Sequence, residues 1–129
     1  MPRIVPIIPP NNEAAAKVEL DKIVAAAKAL DIPLEMQGFV ANWLSDNTRV
    51  FLATEGDTPV GFGVLVFGRR YYDNDMSASV LIAEGLARKE MLEFMADSSK
   101  MLGATMMFYE AREGDTLGGS PRNMLALEL

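Results

Sequence analysis

Two adjacent cations, Arg88 and Lys89, follow a Glu84-Gly85 pair at the point where one kind of periodicity gives way to another. The run before them, Ser77 to Ala83, is apolar and partly β-branched and reads as a buried strand. The run after them, Leu86 to Leu102, carries Met91, Phe94, Met95, Ser98, Met101 and Leu102 at helical spacing, with Gly103 as a C-cap candidate. A strand, a tight turn and a helix in that order set the helix's first N–H groups, which lack intrahelical acceptors, beside the end of the strand. An anion such as a phosphate fits there. Cations in a first helical turn oppose the helix dipole by ~0.3–1 kcal/mol each when exposed, and a bound phosphate reverses that sign. The alternative is that Glu84 and Glu90 offset a solvated pair, with Glu84 itself favoured near a helix N-terminus.

Other residues able to do chemistry are few. Tyr109, in the apolar run Ala104–Tyr109, reads as a half-buried strand tyrosine. Arg69-Arg70-Tyr71-Tyr72 combines charge and rings as a small anion or nucleobase platform does, or as a solvated hairpin tip does. The chain has no histidine and no cysteine, which excludes Ser-His hydrolysis, thiol chemistry and the usual zinc sites. No metal site is expected. Twelve basic and eighteen acidic residues give −6, so the overall field repels nucleic acid and anionic membrane while a local basic patch can still hold one phosphate. The start PRIVPIIPP is too short and proline-rich for a signal peptide, and no run approaches a membrane span. A cytoplasmic protein is expected, with no nucleic-acid or membrane partner.

The elements that must position these residues are legible in order. A chain of 129 residues makes one domain, expected over 1–129. Arg3–Ile8 is a strand interrupted by Pro6, which belongs at an edge or an end. Asn11 or Asn12 caps a helix over Glu13–Leu30, whose apolar face holds Ala16, Leu20, Ile23, Val24, Ala27 and Leu30. After the break Asp31-Ile32-Pro33, a second helix spans Pro33–Leu44 with Pro33 in its first turn and Met36, Phe39, Val40, Trp43 and Leu44 buried. Arg49–Thr54 and Pro59–Phe67 are strands about the turn Glu55–Thr58. In the second of these, Val60, Phe62, Val64 and Val66 share one face and Gly61, Gly63, Leu65 and Phe67 the other. Paired glycines there mark a bulge or the close approach of another group. Residues 110–122 read as a loop and Asn123–Leu129 as a closing strand.

The order β-α-α-β-β-β-α-β-β resembles the GNAT acetyltransferase superfamily over most of the chain. RVFLATEGDTPVGFGVLVF is similar to that family's second and third strands, SASVLIAEG to its fourth, and KEMLEFMADSSKMLGATMMFY to the following helix and fifth strand. The fold implied is α+β (α/β): a mixed sheet, two N-terminal helices and one central crossover helix, with 80–83 and 104–109 side by side and parallel. The resemblance implies acetyl-CoA as acyl donor and an amine, on a small molecule or a protein, as acceptor. It places Leu81, Ile82 and Ala83 against the pantetheine arm, and Gly85, Leu86, Ala87, Arg88 and Lys89 against the pyrophosphate. Glu84 corresponds to a general base acting through water, and Tyr109 to a proton donor for the leaving thiolate, although the family's tyrosine is usually helix-borne. Gly61 and Gly63 gain a further reading as room for an acyl chain. The chain departs from the family at the diagnostic loop, where Glu84–Arg88 is several residues shorter with one glycine, and a glycine-rich loop stands where a fourth helix usually follows. Those departures favour a second reading, a non-catalytic interaction or assembly module of phage or mobile-element type, associated with a virion. An exposed edge strand Asn123–Leu129 would be covered by homodimerisation.

Overall fold

Prolines, caps and left-handed glycines divide the described residues into nine elements. The computed structural model describes residues 2–45, 47–69, 75–110 and, as strand backbone, 124–128. β1 (Arg3–Ile7) stops before Pro9-Pro10. Asn12 then caps α1 (Glu13–Ala29), its side chain accepting from the Ala15 N–H at 3.1 Å. Glu35 does the same for α2 (Met36–Trp43), accepting from Gly38 N–H at 2.6 Å. β2 (Thr48–Glu55), β3 (Thr58–Arg69) and β4 (Met76–Gly85) follow, then α3 (Arg88–Met101), β5 (Met106–Glu110) and β6 (Met124–Glu128).

The six strands form one sheet in chain order. β1 to β4 are antiparallel neighbours, β4 and β5 are parallel, and β6 returns antiparallel to β5. The single parallel contact requires a crossover, which α3 supplies. Pro6 sits opposite Phe51 on edge strand β1, where a missing N–H removes least. This is the mixed α+β architecture that the order of elements implies.

Each face of the sheet has its own core. α1 and α2 cover one, where Ile23, Ala26, Ala27 and Trp43 meet Val50, Leu52, Phe62 and Val64. Trp43 also ties α2 to β1, its indole N–H donating to the Ile7 carbonyl at 3.0 Å. α3 covers the other face, where Met91, Leu92 and Met95 meet Phe51, Leu65, Phe67, Met107 and Tyr109. Apolar burial of this kind is the main favourable term, at about 25 cal/mol per Å2.

The structure corrects several expectations. Pro33 precedes α2 rather than opening it, because Glu35 is the cap. Of the expected α2 stripe only Trp43 is buried, and Met36 and Leu44 are exposed. The buried stripe of α3 is Met91, Leu92, Met95 and Ser99, and Met101 is 88% exposed. At about 100° per residue Met101 falls roughly 130° from the centre of that stripe, so it is not buried with it. Ser99 is tolerated inside because its hydroxyl donates to the Met95 carbonyl at 2.7 Å. Val60 lies with the α3-side core rather than beside Phe62, because the β2–β3 register shifts at Ala53/Thr54. The expected loop at 111–122 and the tip Arg70-Tyr71-Tyr72 lie outside the described residues, as do the ends of the expected strand Asn123–Leu129.

Gly85 carries the turn between β4 and α3. Its φ is +113°, and a Cβ there would fall on the Val60 carbonyl oxygen and within 2.7 Å of Gly61 Cα. Gly103, the α3 stop, has φ +92° but open space around it. Gly85→Ala is therefore expected to lower stability by about 1–3 kcal/mol, and Gly103→Ala by less, about 1 kcal/mol. Urea denaturation of both variants checks this, and equal losses would place the collision wrongly.

Candidate functional site

β4 contains one residue more than its partner. Its pairing with β3 shifts at Val64/Leu65: Val64 faces Ile82 and Leu65 faces Val80, so Leu81 is the extra residue. Strand side chains alternate, so a single insertion reverses the facing of everything beyond it. Ala78 and Val80 pack on the α3 side before the bulge, and Ala83 does so after it. Ile82 packs on the α1–α2 side. Half-buried Glu84 lines a cavity of about 390 Å3 there, closed opposite by Leu30, Asp31, Ile32 and Pro33 of the connection between α1 and α2. Leu81 remains 65% exposed, which is unusual for an apolar residue on an inner strand.

Past the bulge the sheet opens. β4 and β5 pair only through Ser77–Met106, Ala78–Met107 and Ser79–Phe108. The strands run parallel as expected, but the pairing lies earlier than residues 80–83, of which Val80, Ile82 and Ala83 pair with β3 and none pairs with β5. On its other edge β5 pairs with β6 along its whole length, from Met106–Glu128 to Glu110–Met124.

Arg88 spans the opening. Its Nη1 donates to the Ala83 carbonyl on β4, and its Nη2 to the Glu110 carbonyl on β5 at 3.0 Å. A planar guanidinium can hold two acceptors at once, which a lysine cannot do in the same geometry. The connection from Gly85 to Arg88 is only Leu86 and Ala87. The Leu86 N–H donates back to the Val60 carbonyl at 3.0 Å, and Ala87 starts α3 without a side-chain cap. Intrahelical bonding begins with Met91 N–H to Ala87 carbonyl, so the N–H groups of residues 88–90 precede the ladder.

The expected site residues divide among three places. Leu81, Ile82 and Glu84 face the cavity by the α1–α2 connection. The Ala83 carbonyl faces the opening, and Gly85, Leu86, Ala87, Arg88 and Lys89 form the turn and first helical residues beside it. Tyr109 is 0% exposed in the core under α3, on the opposite face from Glu84, so the sheet separates these two residues. Gly63 makes room for α3, since a Cβ there would fall on Met95 Cε and 3.1 Å from Met91 Sδ, whereas a Cβ on Gly61 would first meet Ala53 Cβ at 2.9 Å. That is the close approach, and it leaves no space for an acyl chain. The α1–α2 connection was not expected as a wall. Its signal was the break Asp31-Ile32-Pro33, where Asp31 takes φ +55°. Among the described residues no three His, Cys, Asp or Glu side chains converge as metal ligands, and no helix is long and apolar enough to cross a membrane.

No family model matches the sequence, and no curated protein does. Solved structures do match. An aminoglycoside acetyltransferase from an uncultured soil metagenomic sample, in complex with trehalose, superposes with a TM-score of 0.65 at 14% identity, over 88% of this chain and 80% of that one. A GNAT family acetyltransferase of Staphylococcus aureus gives 0.65 at 12% identity, over 92% and 94%. A predicted acetyltransferase of Clostridium acetobutylicum, solved with acetyl-CoA, gives 0.57 at 9% identity, over 88% and 82%. The chain has the GNAT acetyltransferase fold. At such identities the likeness is one of architecture.

Arg88→Ala removes a charged donor from two carbonyls, and each such bond contributes about 1.5–3 kcal/mol before water replaces it. With water admitted at the opening, a net loss of about 1–2 kcal/mol is expected, and Arg88→Lys should recover less than half. Hydrogen exchange should quicken in β5 and leave β2 unchanged. Unchanged exchange in β5 would show that the bridge does not hold the strands.

Proposed function

We propose that this chain binds an acyl-CoA thioester, acetyl-CoA first, in the opening between β4 and β5 and transfers the acyl group to an amine held on the α1–α2 side of β4. The observation that carries this reading is that β4 runs on to Gly85 after its pairing with β5 has ended at Ser79. Backbone polar groups within a sheet are ordinarily paired by neighbouring strands, and the amides of a pantetheine arm are suited to pair with an edge of this kind. Leu81, Ile82 and Ala83 would hold that arm. Gly85, Leu86, Ala87, Arg88 and Lys89 would hold the diphosphate through helix-terminal N–H groups and two cations.

In the reaction the amine nitrogen attacks the thioester carbonyl carbon. A C–N bond forms, the C–S bond breaks and the thiolate leaves. The amine's proton passes to the Glu84 carboxylate, directly or through water, and thence to solvent or the thiolate. β4 N–H groups polarise the carbonyl oxygen. Buried Tyr109 is given no part in this proposal.

A second reading has its own observation. Arg88 already satisfies carbonyls on both strands of the opening, as a structural seam would in a non-catalytic assembly module. The two readings differ in what a thioester does to stability. With a dissociation constant near 10 µM, acetyl-CoA at about 1 mM contributes about 2.7 kcal/mol, a rise of several degrees in Tm. Replacing Arg88 and Lys89 together by Ala should remove at least half of that rise. No rise in the unaltered chain at about 1 mM would exclude the transferase reading.

A further inference from the structure

We infer that the acceptor is a monoamine with an apolar body, of arylalkyl or branched alkyl type, and not a polycation. This rests on the transfer reading above and names its second substrate.

The cavity beside Glu84 does not end at β4. A second cavity of about 280 Å3, between α2 and the sheet, shares Leu81 and Ile82 with it. The larger cavity alone lies within the range of about 300–1,000 Å3 common for small-ligand sites. Together they make a groove along β4 with unlike ends. Asp31 and Glu84 stand at one end, and Phe39, Val64 and Val66, with the uncharged Asn42 and Thr48, at the other. No lysine or arginine lines either part among the described residues. One ammonium group therefore meets two carboxylates, while its substituent runs over Leu81 toward Phe39. The exposure of Leu81 is explained in the same way: the bulge turns it out where α1 and α2 leave a gap, and an apolar substituent there removes its surface from water. A polycation would have to lose the hydration of its further ammonium groups against largely apolar, uncharged walls, with no countercharge to replace the water.

The full chain is titrated by calorimetry with 2-phenylethylamine and with spermidine, without acetyl-CoA, and acetyl transfer to each is then followed by thiol release. The expected result is binding of 2-phenylethylamine and at least a tenfold advantage in kcat/KM over spermidine. Leu81→Asn, at an exposed position, should weaken 2-phenylethylamine at least fivefold. Glu84→Gln should lower kcat more than it raises KM. Equal or stronger use of spermidine, or binding indifferent to Leu81→Asn, would overturn the inference. If acetyl-CoA binds and neither amine does, the acceptor class is wrong and the donor site stands. If 2-phenylethylamine binds and acetyl-CoA does not, the transfer reading fails and the apolar amine groove survives.

Discussion

A strand that alternates its side chains has no tolerance for a single extra residue, and β4 has one. Leu81 reverses the facing of Ile82, Ala83 and Glu84. In the absence of that reversal Ala83 would leave the α3 side and Glu84 would point into a core of methionines. With it, the small residue lies under the helix and the carboxylate stands toward the α1–α2 connection. Bulges also bend and twist the strand that carries them. That bend accounts for the early end of the β4–β5 pairing, since evenly spaced parallel bonds require two strands to keep step. The cavity wall, the opening and the position of Glu84 are thus consequences of one inserted residue.

The opening creates a deficit of backbone pairing that the chain resolves asymmetrically. β5 pairs with β6 along the whole of its other edge, and among the described residues no strand is paired with β4 beyond Ser79 on the β5 side. Arg88 meets the remaining need because Gly85 allows so short a turn. With only two residues between strand and helix, the first side chain of α3 starts within reach of both diverging strands. A longer loop would carry that side chain away and expose more N–H groups to a ligand. This chain therefore has fewer loop N–H groups and a nearer cation than a longer loop provides.

Much of this was legible in the sequence, for local reasons. Asn12, Pro9-Pro10, Gly85 and Gly103 each act through their own backbone preferences, so element order and boundaries follow from the residues there. The facing of strand residues was less legible. Where both faces are buried, runs such as VLIA and VGFGVLVF carry no polar side chain, and alternation no longer marks a register or an inserted residue. Val60 and Glu84 were hidden for that reason. The rotation of α3 was obscured because Met101 and Leu102 are as apolar as the methionines that are buried. Arg88 was legible as a cation at a helix start, with phosphate or Glu84 and Glu90 as its expected partners. Its partners in the structure include two main-chain carbonyls, one of them 22 residues away, and only the folded sheet brings that acceptor close.

Charge distribution links the two substrates of the proposed reaction. A net charge of −6 favours the approach of an amine and disfavours that of a CoA thioester with its phosphates. The donor must therefore be attracted locally, over distances shorter than the screening length of about 8–10 Å in physiological salt. In the proposed reaction Arg88 and Lys89 would supply that attraction at the opening, while Asp31 and Glu84 line the cavity on the α1–α2 side of the sheet. β4 lies between the two charge pairs. Because the short turn contributes so few N–H groups, donor binding depends more on side-chain charge than it would over a glycine-rich loop. Charge-assisted contacts of exposed cations weaken as salt rises, whereas apolar contacts along Leu81 do not. Donor and acceptor affinities should thus respond oppositely to a kosmotropic salt such as sulfate, the first falling and the second holding or rising, and a parallel fall in both would mean that the groove recognises charge alone.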